Sequence, residues 1–367
     1  MTRPLLTPLA LSLPETVPFV GPETQERAMG QPFRARLGAN ESLFGPSPKA
    51  LAAMAEAAAG VWMYGDPENH ALKQALAARH GCRPENIVVG EGIDGLLGYL
   101  VRLTVGLGDT VVTSLGAYPT FTFHVAGYGG EVIRVPYRGD HEDPQALLDA
   151  ARAHAPKLIY LANPDNPMGS AHPGAVIADM VAALPEGSLL VLDEAYVDLA
   201  PEGTAPTLSP DDPRVIRFRT FSKAYGMAGA RVGYAIAAPE LARAFDKVRN
   251  HFGMGRIAQL GALAALTDED HLQRVRALTL AARAQLTEIA AENGLRALPS
   301  ATNFVTIDCG RDGDFARAVL RETVARGVFI RMPGVAPLDR CIRVSLGDAA
   351  ALAVFAEVLP QALRAAG

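Results

Sequence analysis

Residues 86–114 read NIVVGEGIDGLLGYLVRLTVGLGDTVVTS and contain the pattern on which the fold depends. Asn86–Val89 and Thr110–Ser114 are short, β-branched runs that are mostly apolar on both faces. The segment Asp94–Thr104 between them is long enough and apolar enough to form a helix. Strands that are buried on both faces and joined by a helix are typical of parallel sheets covered by helices. The stretch therefore predicts a βαβ unit.

The same alternation of short apolar runs and helical segments extends to both sides of this unit. Further strands are predicted at Glu131–Val135, Leu158–Leu161, Leu189–Leu192 and Val215–Phe218. Further helices are predicted at Lys49–Ala59, Ala71–His80, Pro119–Ala126, Pro144–His154 and Pro173–Ala183. Several of these helices have proline near the start, as helix N-termini favour. The order predicts a large α/β domain with a mostly parallel, helix-flanked sheet.

The pattern changes beyond Glu240, where long helices rich in Ala, Leu and Arg are predicted at Glu240–Asn250 and Ile257–Asn293. A smaller set of elements follows: strand Asn303–Asp308, helix Phe315–Arg326, strands Val328–Arg331 and Cys341–Ser345, and a last helix from Asp348. We therefore predict a large domain over residues 46–254 and a smaller C-terminal α/β domain over 255–367. We expect an N-terminal arm, residues 1–45, to pack with the small domain.

Composition favours a protein that acts on small molecules. The 367 residues carry 34 basic and 39 acidic side chains, and the net charge of −5 gives no general attraction for nucleic acid or an anionic membrane. Prolines interrupt the first 20 residues, and no later stretch reaches about 18 uninterrupted apolar residues. Because Cys82, Cys309 and Cys341 are far apart and form no paired motif, we expect no metal site and a cytoplasmic protein.

A glycine-rich turn, Gly90–Gly95, follows the first strand of the quoted stretch and opens its helix. Glycines let backbone N–H groups approach a phosphate, and the helix dipole favours negative charge there. The turn also matches the dinucleotide pattern G-x-G-x-x-G, but that pattern needs an acidic residue at the end of the next strand, where Leu115 stands. A tight strand-to-helix connection without any ligand is an equally good interpretation of the turn alone.

Polar residues also follow the next two central strands. The segment Asn163–Gly169 reads NPDNPMG, and turn formation explains most of its composition, although its asparagines can also donate to an anionic ligand. Asp193 and Tyr196 come after the following strand; an aspartate there often caps the next element, but it can also keep a heterocyclic nitrogen protonated. Because ligands of open α/β sheets bind at the carboxyl ends of the strands, these residues are candidates for one site.

The stretch Arg219–Arg231, RTFSKAYGMAGAR, follows the last predicted strand of the large domain. A lysine is usually a solvated surface charge, but Lys223 lies among small residues, with a hydroxyl before it and an arginine eight residues after it. Burial beside other cations depresses the pKa of an amine and makes it nucleophilic toward an aldehyde. The stretch therefore indicates Schiff-base chemistry.

An aldehyde, a phosphate, a ring nitrogen and a ring oxygen are together the recognition features of pyridoxal phosphate. On these motifs the chain resembles the class I/II, fold-type-I aminotransferases, and within them the histidinol-phosphate aminotransferase group. The resemblance runs nearly from end to end. Its other motifs are Asn40-Glu41 with Phe44–Pro48, Tyr64 in Tyr-Gly-Asp-Pro, Pro119-Thr120, Thr302–Phe304 and Ile342–Val344. Each motif is weak alone, and their order and spacing make the signal strong.

The resemblance implies a pyridoxal phosphate cofactor and assigns roles to residues of this chain. Lys223 binds the aldehyde and shuttles a proton, Asp193 pairs with the ring nitrogen, and Tyr196 contacts the ring oxygen together with Asn166. The phosphate is held by Ile93, Asp94, Gly95, Ser222 and Arg231. The resemblance also implies a homodimer with shared active sites, in which Tyr64 reaches the cofactor of the neighbouring subunit.

The resemblance further implies that Arg343 holds the acidic group of the substrate, with Arg331 as a second positive charge and Asn40 as another substrate-binding residue. Two arginines suit a phosphate or a carboxylate through forked hydrogen bonds. We expect an amino donor such as histidinol phosphate or an aromatic amino acid, and a 2-oxo acid such as 2-oxoglutarate as the acceptor.

Three positions depart from the pattern of the group. His124 is predicted where the group places an aromatic ring over the cofactor, Phe19 replaces an N-terminal tyrosine, and Met168 replaces a threonine. An exchange to histidine also occurs in decarboxylases of this fold, so a lyase similar to threonine-phosphate decarboxylase is the nearest alternative. A nicotinamide-dependent oxidoreductase built on the glycine turn is a less favoured one. A non-catalytic regulator of this fold is disfavoured, because about 40 residues before the first helix are too few for a DNA-binding domain.

Overall fold

Strands and helices alternate along most of the chain. The computed structural model describes residues 5–15 and 20–367. Its α-helices are α1 (Pro8–Ser12), α2 (Pro22–Met29), α3 (Pro48–Ala58), α4 (His70–His80), α5 (Gly92–Thr104), α6 (Pro119–Gly127), α7 (Pro144–His154), α8 (Gly174–Ala182), α9 (Pro239–Ala244), α10 (Arg256–Leu266), α11 (Glu269–Glu292), α12 (Gly313–Ala325) and α13 (Ala349–Ala366). Its strands are β1 (Ala35–Arg36), β2 (Ile87–Gly90), β3 (Thr110–Ser114), β4 (Glu131–Val135), β5 (Leu158–Ala162), β6 (Leu189–Asp193), β7 (Val215–Thr220), β8 (Gly233–Ile236), β9 (Arg296–Ala297), β10 (Phe304–Asp308), β11 (Val328–Phe329) and β12 (Cys341–Ser345).

The central sheet has seven strands in the order β2-β8-β7-β6-β5-β3-β4. The pairs β7-β6, β6-β5, β5-β3 and β3-β4 are parallel, as the sequence predicts. Strand β8, which the sequence analysis did not identify, runs antiparallel to both β7 and β2. It follows the loop that contains Lys223 and returns the chain to the sheet beside β7. The carboxyl ends of β3, β5, β6 and β7 therefore meet at one edge.

The central sheet is covered on both faces. Along β5, Leu158 and Tyr160 pack in the core beneath α5 and α6, whereas Ile159 and Leu161 pack in the core beneath α7 and α8. Each of these side chains is fully buried. Burial of one such side chain contributes roughly 1.5–3 kcal/mol, so a strand that is apolar on both faces is held firmly in a layered sheet.

The small domain is built on β12-β10-β9, an antiparallel sheet against which α12 and α13 pack. The described part of the N-terminal arm joins it, because β1 pairs in parallel with β11 and Arg34 forms an ion pair with Glu357. Helix α13 is long and apolar enough to span a membrane by length and composition alone. Its Leu352, Phe355 and Leu359 are fully buried in the small-domain core, so one face of α13 packs in that core.

Two predicted helices are wrong in extent. The helix predicted at Glu240–Asn250 ends after α9, because the chain tightens into a 3₁₀ turn at 245–247 that inserts Phe245 into the core beside α5. The helix predicted at Ile257–Asn293 is broken at Thr267-Asp268 into α10 and α11. Asp268 stands at the N-terminal boundary of α11, whose first turn is acidic and so suits the positive end of a helix dipole.

The division of the chain at residues 254 and 255 stays a prediction, and two helices bear on it. Helix α10 packs closely on α3, where a Cβ at Gly261 would lie 2.5 Å from Cγ of Met54. Helix α11 joins both parts: Leu272 belongs to the core shared with α10, and Leu286 belongs to the core of the small domain.

Candidate active site

A cleft of about 610 Å³ opens at the carboxyl ends of the central strands, between the sheet and the small domain. This volume lies within the range of sites for small molecules and cofactors. The strand ends supply Ala162, Asp193 and Thr220, and other walls come from residues 38–41, 116–119 and 331–335. The topology therefore brings the N-terminal arm, the large domain and the small domain to one place.

Lys223 lies in the loop after β7 with its amine in the cleft. The Nζ atom donates a hydrogen bond of 2.9 Å to the carbonyl oxygen of Asn40 and lies 5.7 Å from the centre of the Tyr196 ring. Burial lowers the pKa of Lys223 to about 8, and the positive charge of Arg343 acts in the same direction. A substantial fraction of the amine is therefore neutral near physiological pH and able to attack an aldehyde.

Asp193 ends β6 and is 5% exposed at the floor of the cleft. Its Oδ2 accepts a hydrogen bond of 2.7 Å from the Tyr160 hydroxyl, and its Oδ1 accepts one of 2.9 Å from the backbone N–H of Ala195. Burial raises the pKa of Asp193 to about 6, while the two donors act against that rise. The group is thus mostly ionised at neutral pH and suited to hold a protonated heterocyclic nitrogen.

Tyr196 presents its hydroxyl to two amide groups, at 3.1 Å from Nδ2 of Asn40 and 3.5 Å from Nδ2 of Asn166. Burial raises the pKa of Tyr196 to about 12, so the hydroxyl stays protonated and can donate to a ligand oxygen. Arg343 donates to Oδ1 of Asn166, and its Nε has no hydrogen-bond partner among the described residues. These four side chains form one polar wall beside Lys223.

An anion cradle forms where α5 begins. Ile93 and Asp94 line the cleft with Ser222 and Arg231, whose Nη1 lies 3.4 Å from the Ser222 hydroxyl oxygen. Gly92 has φ +77°, and a Cβ there would lie 2.3 Å from Nη2 of Arg231, so a side chain at this position would displace the guanidinium. A helix N-terminus with an adjacent arginine and hydroxyl is suited to a phosphate.

Of three further predicted site residues, Gly95 and Tyr64 lie outside the cleft and Arg331 lines it. Gly95 faces the Glu91 side chain and does not line the cleft. Tyr64 is 77% exposed and contacts the Phe252 ring at a tilted angle, outside the cleft of its own chain. Arg331 lines the cleft and donates to the carbonyl oxygen of Val20 at 2.7 Å.

The position predicted for His124 is not supported by the structure. The His124 ring contacts α5, with Nε2 at 3.0 Å from the carbonyl oxygen of Asp94 and the ring edge against Gly98. Tyr118, the residue before α6, places its aromatic side chain in the lining of the cleft instead. His124 lies farther along α6, on a face turned toward α5, and this explains the difference.

The other two departures are placed as follows. Phe19 lies outside the described residues. Met168 is buried with Leu298, Leu338 and Cys341, so it packs the loop after β5 against the small domain and fills no position in the cleft.

Two residues of the site were missed in the sequence. The local sequence favours His124 over Tyr118, which lies six residues earlier. The apolar run around Tyr160 indicates only a buried strand, although the alternation of β5 places this residue on the same face as Ala162, which pairs with Asp193. The register of β5 with β6 is the feature that predicts the contact between the Tyr160 hydroxyl and Asp193.

Comparison with known proteins agrees with this geometry. The sequence model of the family described as aminotransferase class I and II matches residues 35–359. The crystal structure of histidinol-phosphate aminotransferase from Sinorhizobium meliloti in complex with pyridoxal-5'-phosphate is 54% identical, with a TM-score of 0.97 and coverage of 100% of this chain and 99% of that one. Histidinol-phosphate aminotransferases from Anaeromyxobacter sp. (strain Fw109-5) and Moorella thermoacetica are 39% and 34% identical; the matches cover 94% of this chain and 95% and 90% of those proteins. The predicted resemblance and the fold-type-I architecture are thereby confirmed, and this chain belongs to the aminotransferase class I and II family.

Proposed function

We propose that the protein is a pyridoxal-phosphate-dependent aminotransferase that moves the amino group of histidinol phosphate, or of a related aromatic amino acid, to a 2-oxo acid such as 2-oxoglutarate. The observation that carries the proposal is the convergence of the Lys223 amine, the Asp193 carboxylate and the anion cradle in one cleft. The similarity to a protein crystallised with pyridoxal phosphate supports the cofactor, and the names of the relatives support the substrate.

The residues of the cleft fit this cofactor. The Gly92 backbone leaves the space in which Arg231 reaches over the start of α5, and this cradle would hold the phosphate. Asp193 would keep the ring nitrogen protonated, and Asn166 and Tyr196 would donate to the ring oxygen. When bound, the cofactor supplies an electron sink for the charge that develops on the substrate α-carbon.

Lys223 is the group that moves the proton. Its lowered pKa makes neutral Nζ available as a general base for the proton of the substrate α-carbon, and the protonated amine then returns a proton as a general acid. Asn40 orients Nζ through its carbonyl oxygen, which also accepts a hydrogen bond of 2.9 Å from Nδ2 of Asn303. A base whose pKa lies near the working pH is efficient in both directions.

The acidic group of the substrate would bind at the polar wall. Arg343 is partly buried in the cleft, and Arg331 is its neighbour across an antiparallel bridge between the two backbones. We expect Arg343→Lys to raise KM for the amino acid and the oxo acid far more than it lowers kcat, because a lysine loses the forked geometry. Asn40 would hold the two domains in a fixed position around the bound substrate.

We also propose that the protein is a homodimer that works in the cytoplasm. An exposed apolar patch contains Trp62 at 81% exposure, Tyr64 at 77%, Val61 at 61% and Phe252 at 53%. A second copy that covers this patch would bring Tyr64 to the cofactor phosphate of its neighbour. Sedimentation of the wild type and of Trp62→Glu tests this arrangement: we expect a dimer for the wild type and a monomer of weakened cofactor affinity for the variant.

A single-turnover experiment tests the reaction. The purified protein loaded with pyridoxal phosphate should lose its visible absorption band on addition of histidinol phosphate and regain it with 2-oxoglutarate. Lys223→Ala should abolish turnover while it retains some cofactor, and full activity of that variant would refute the role of the lysine. Release of carbon dioxide without any need for an oxo acid would favour a decarboxylase, an alternative that the position of His124 no longer supports.

A further inference from the structure

A pair of buried carboxyl groups lies behind the floor of the cleft. Glu142, just before α7, is 1% exposed, and Asp165, in the loop after β5, is 2% exposed. Among the described residues, no Lys, Arg or His forms an ion pair with either group. Two uncompensated charges at such a place would be costly, because burial without a counter-ion strongly disfavours ionisation.

Each carboxyl group of the pair accepts hydrogen bonds from one hydroxyl group and one backbone N–H group. Asp165 accepts hydrogen bonds from the Tyr137 hydroxyl at 2.9 Å and from the backbone N–H of Met168 at 3.0 Å. Glu142 accepts from the Ser114 hydroxyl at 2.5 Å and from the backbone N–H of Ala162 at 3.0 Å.

The two carboxyl groups also interact directly with each other, and two neighbouring buried carboxylates disfavour ionisation of both, so one of them holds a proton. Hydrogen bonds to Asp165 oppose the rise in its pKa, so Asp165 keeps the charge better than Glu142 does. Burial raises the pKa of Glu142 well above its usual range, and raises the pKa of Asp165 to about 6. Both directions agree with one proton shared by the pair and held by Glu142 at neutral pH.

We propose that Glu142 is a positioning residue that, in its protonated form, holds Asn166 against the ring oxygen of the cofactor. The proposal rests on the function proposed above. Glu142 connects Ser114 at the end of β3 and Ala162 at the end of β5, and its proton fixes Asp165, the residue directly before Asn166. The loop that carries Asn166 is thereby tied to two strands of the central sheet.

The titratable and charged groups that face the pair come from several elements. The His172 ring nitrogen Nε2 lies 2.8 Å from the backbone carbonyl oxygen of Glu142. The remaining groups that act on the pair, or on which the pair acts electrostatically, are Tyr137, Tyr160, Tyr196 and Arg343. Of these, Arg343 is the cation, and its contact is with Asn166.

The proton on Glu142 is tested by unfolding of the full-length protein without added cofactor, from pH 5 to pH 9. A carboxyl group whose pKa is raised on folding stabilises the protein below its unfolded pKa, and that stability is lost as the pH rises toward the folded pKa. The unfolding equilibrium constant of the wild type should therefore rise relative to that of Glu142→Gln, by up to about tenfold per pH unit. The matched control is Glu131→Gln, at an exposed position of β4, which should show no such trend. A ratio that stays constant across this range would overturn the proposal.

The role toward Asn166 is tested in the protein loaded with pyridoxal phosphate, by the visible absorption of the bound cofactor as a function of pH. Donation by Asn166 favours the anionic ring oxygen, so a loosened loop should move the spectral midpoint to higher pH. We expect Glu142→Ala to raise this midpoint by at least half a pH unit and to weaken cofactor binding several-fold. Glu142→Gln keeps a neutral donor and should restore both values.

Identical midpoints for the wild type and Glu142→Ala would overturn the positioning role, and so would a Glu142→Gln variant that behaves like the alanine variant. If Glu142→Ala does not fold, Asp165→Asn replaces it, because it removes the anion that the Glu142 proton binds. If the wild type acquires no visible band with pyridoxal phosphate, the proposed function fails, whereas the unfolding comparison still decides where the proton lies.

Discussion

Replacement of Tyr160 by phenylalanine removes one hydroxyl group and tests the electrostatics of the cleft. The ring is fully buried and stacks on Phe121 at 4.8 Å, so Tyr160→Phe should preserve the packing. The lost hydrogen bond is made to the carboxylate of Asp193 at 2.7 Å, and hydrogen bonds to charged groups contribute about 1.5–3 kcal/mol. At 1.36 kcal/mol per pKa unit, the pKa of Asp193 should rise by about one to two units from its value of about 6.

The consequence is a pH-dependent loss of cofactor affinity. A neutral Asp193 no longer pairs with a protonated ring nitrogen, so pyridoxal phosphate should bind roughly 2- to 10-fold more weakly at pH 7, whereas at pH 9 most of the loss should disappear. Equilibrium dialysis at the two pH values measures the effect. The matched control is Tyr234→Phe, which removes a buried hydroxyl that contacts His80 at 2.9 Å and should leave the affinity unchanged. Equal losses at both pH values, or no loss at pH 7, would refute this account of Asp193.

Three further experiments test other parts of the cleft. Gly92→Ala should displace Arg231 and weaken binding of pyridoxal phosphate at least tenfold by dialysis, whereas Gly108→Ala, with φ +80° and no atom within 4 Å of a new Cβ, should destabilise the protein by about 1 kcal/mol without that loss. The rate at which Lys223 bonds to added pyridoxal phosphate should increase with pH and level off above about pH 8, because the neutral amine is the nucleophile; a flat profile from pH 6 to pH 9 in stopped-flow absorbance would contradict its lowered pKa. Asp193→Ala should reduce turnover severely at every pH, and near-normal rates would exclude the pairing with the ring nitrogen.

Much of the fold could be predicted because the buried strands are locally distinct. The parallel strands of the central sheet are short, apolar on both faces and bounded by turn residues, and the structure places their ends within two residues of the predicted ones. Strand β8 has no clear local signal because it is only four residues long, and its pairing with β2 joins chain segments more than 140 residues apart. The break between α10 and α11 was overlooked although Asp268, Glu269 and Asp270 carry a helix-start signal.

The candidate site likewise contains some residues that the sequence predicts and others that it does not. Lys223, Asp193 and Arg231 could be found because each lies next to the end of a strand or in a motif of small residues. Residues whose contribution depends on contacts between strands could not be found from local patterns. Tyr160 reads as core until the register of β5 with β6 is known. Glu142 reads as an ordinary loop acid until packing removes it from water and places it beside Asp165.

Helix α11 restricts how the parts of the chain on either side of the cleft can move relative to each other. It is 24 residues long, about 36 Å at 1.5 Å per residue, and it runs without interruption from one hydrophobic core to the other. The helix thus connects the two hydrophobic cores. Separation of one core from the other along a straight line would remove Leu272 or Leu286 from its packing. We therefore expect a movement that admits a substrate to rotate the part of the chain that carries Arg343 relative to the part that carries Lys223, with both side chains of α11 still packed.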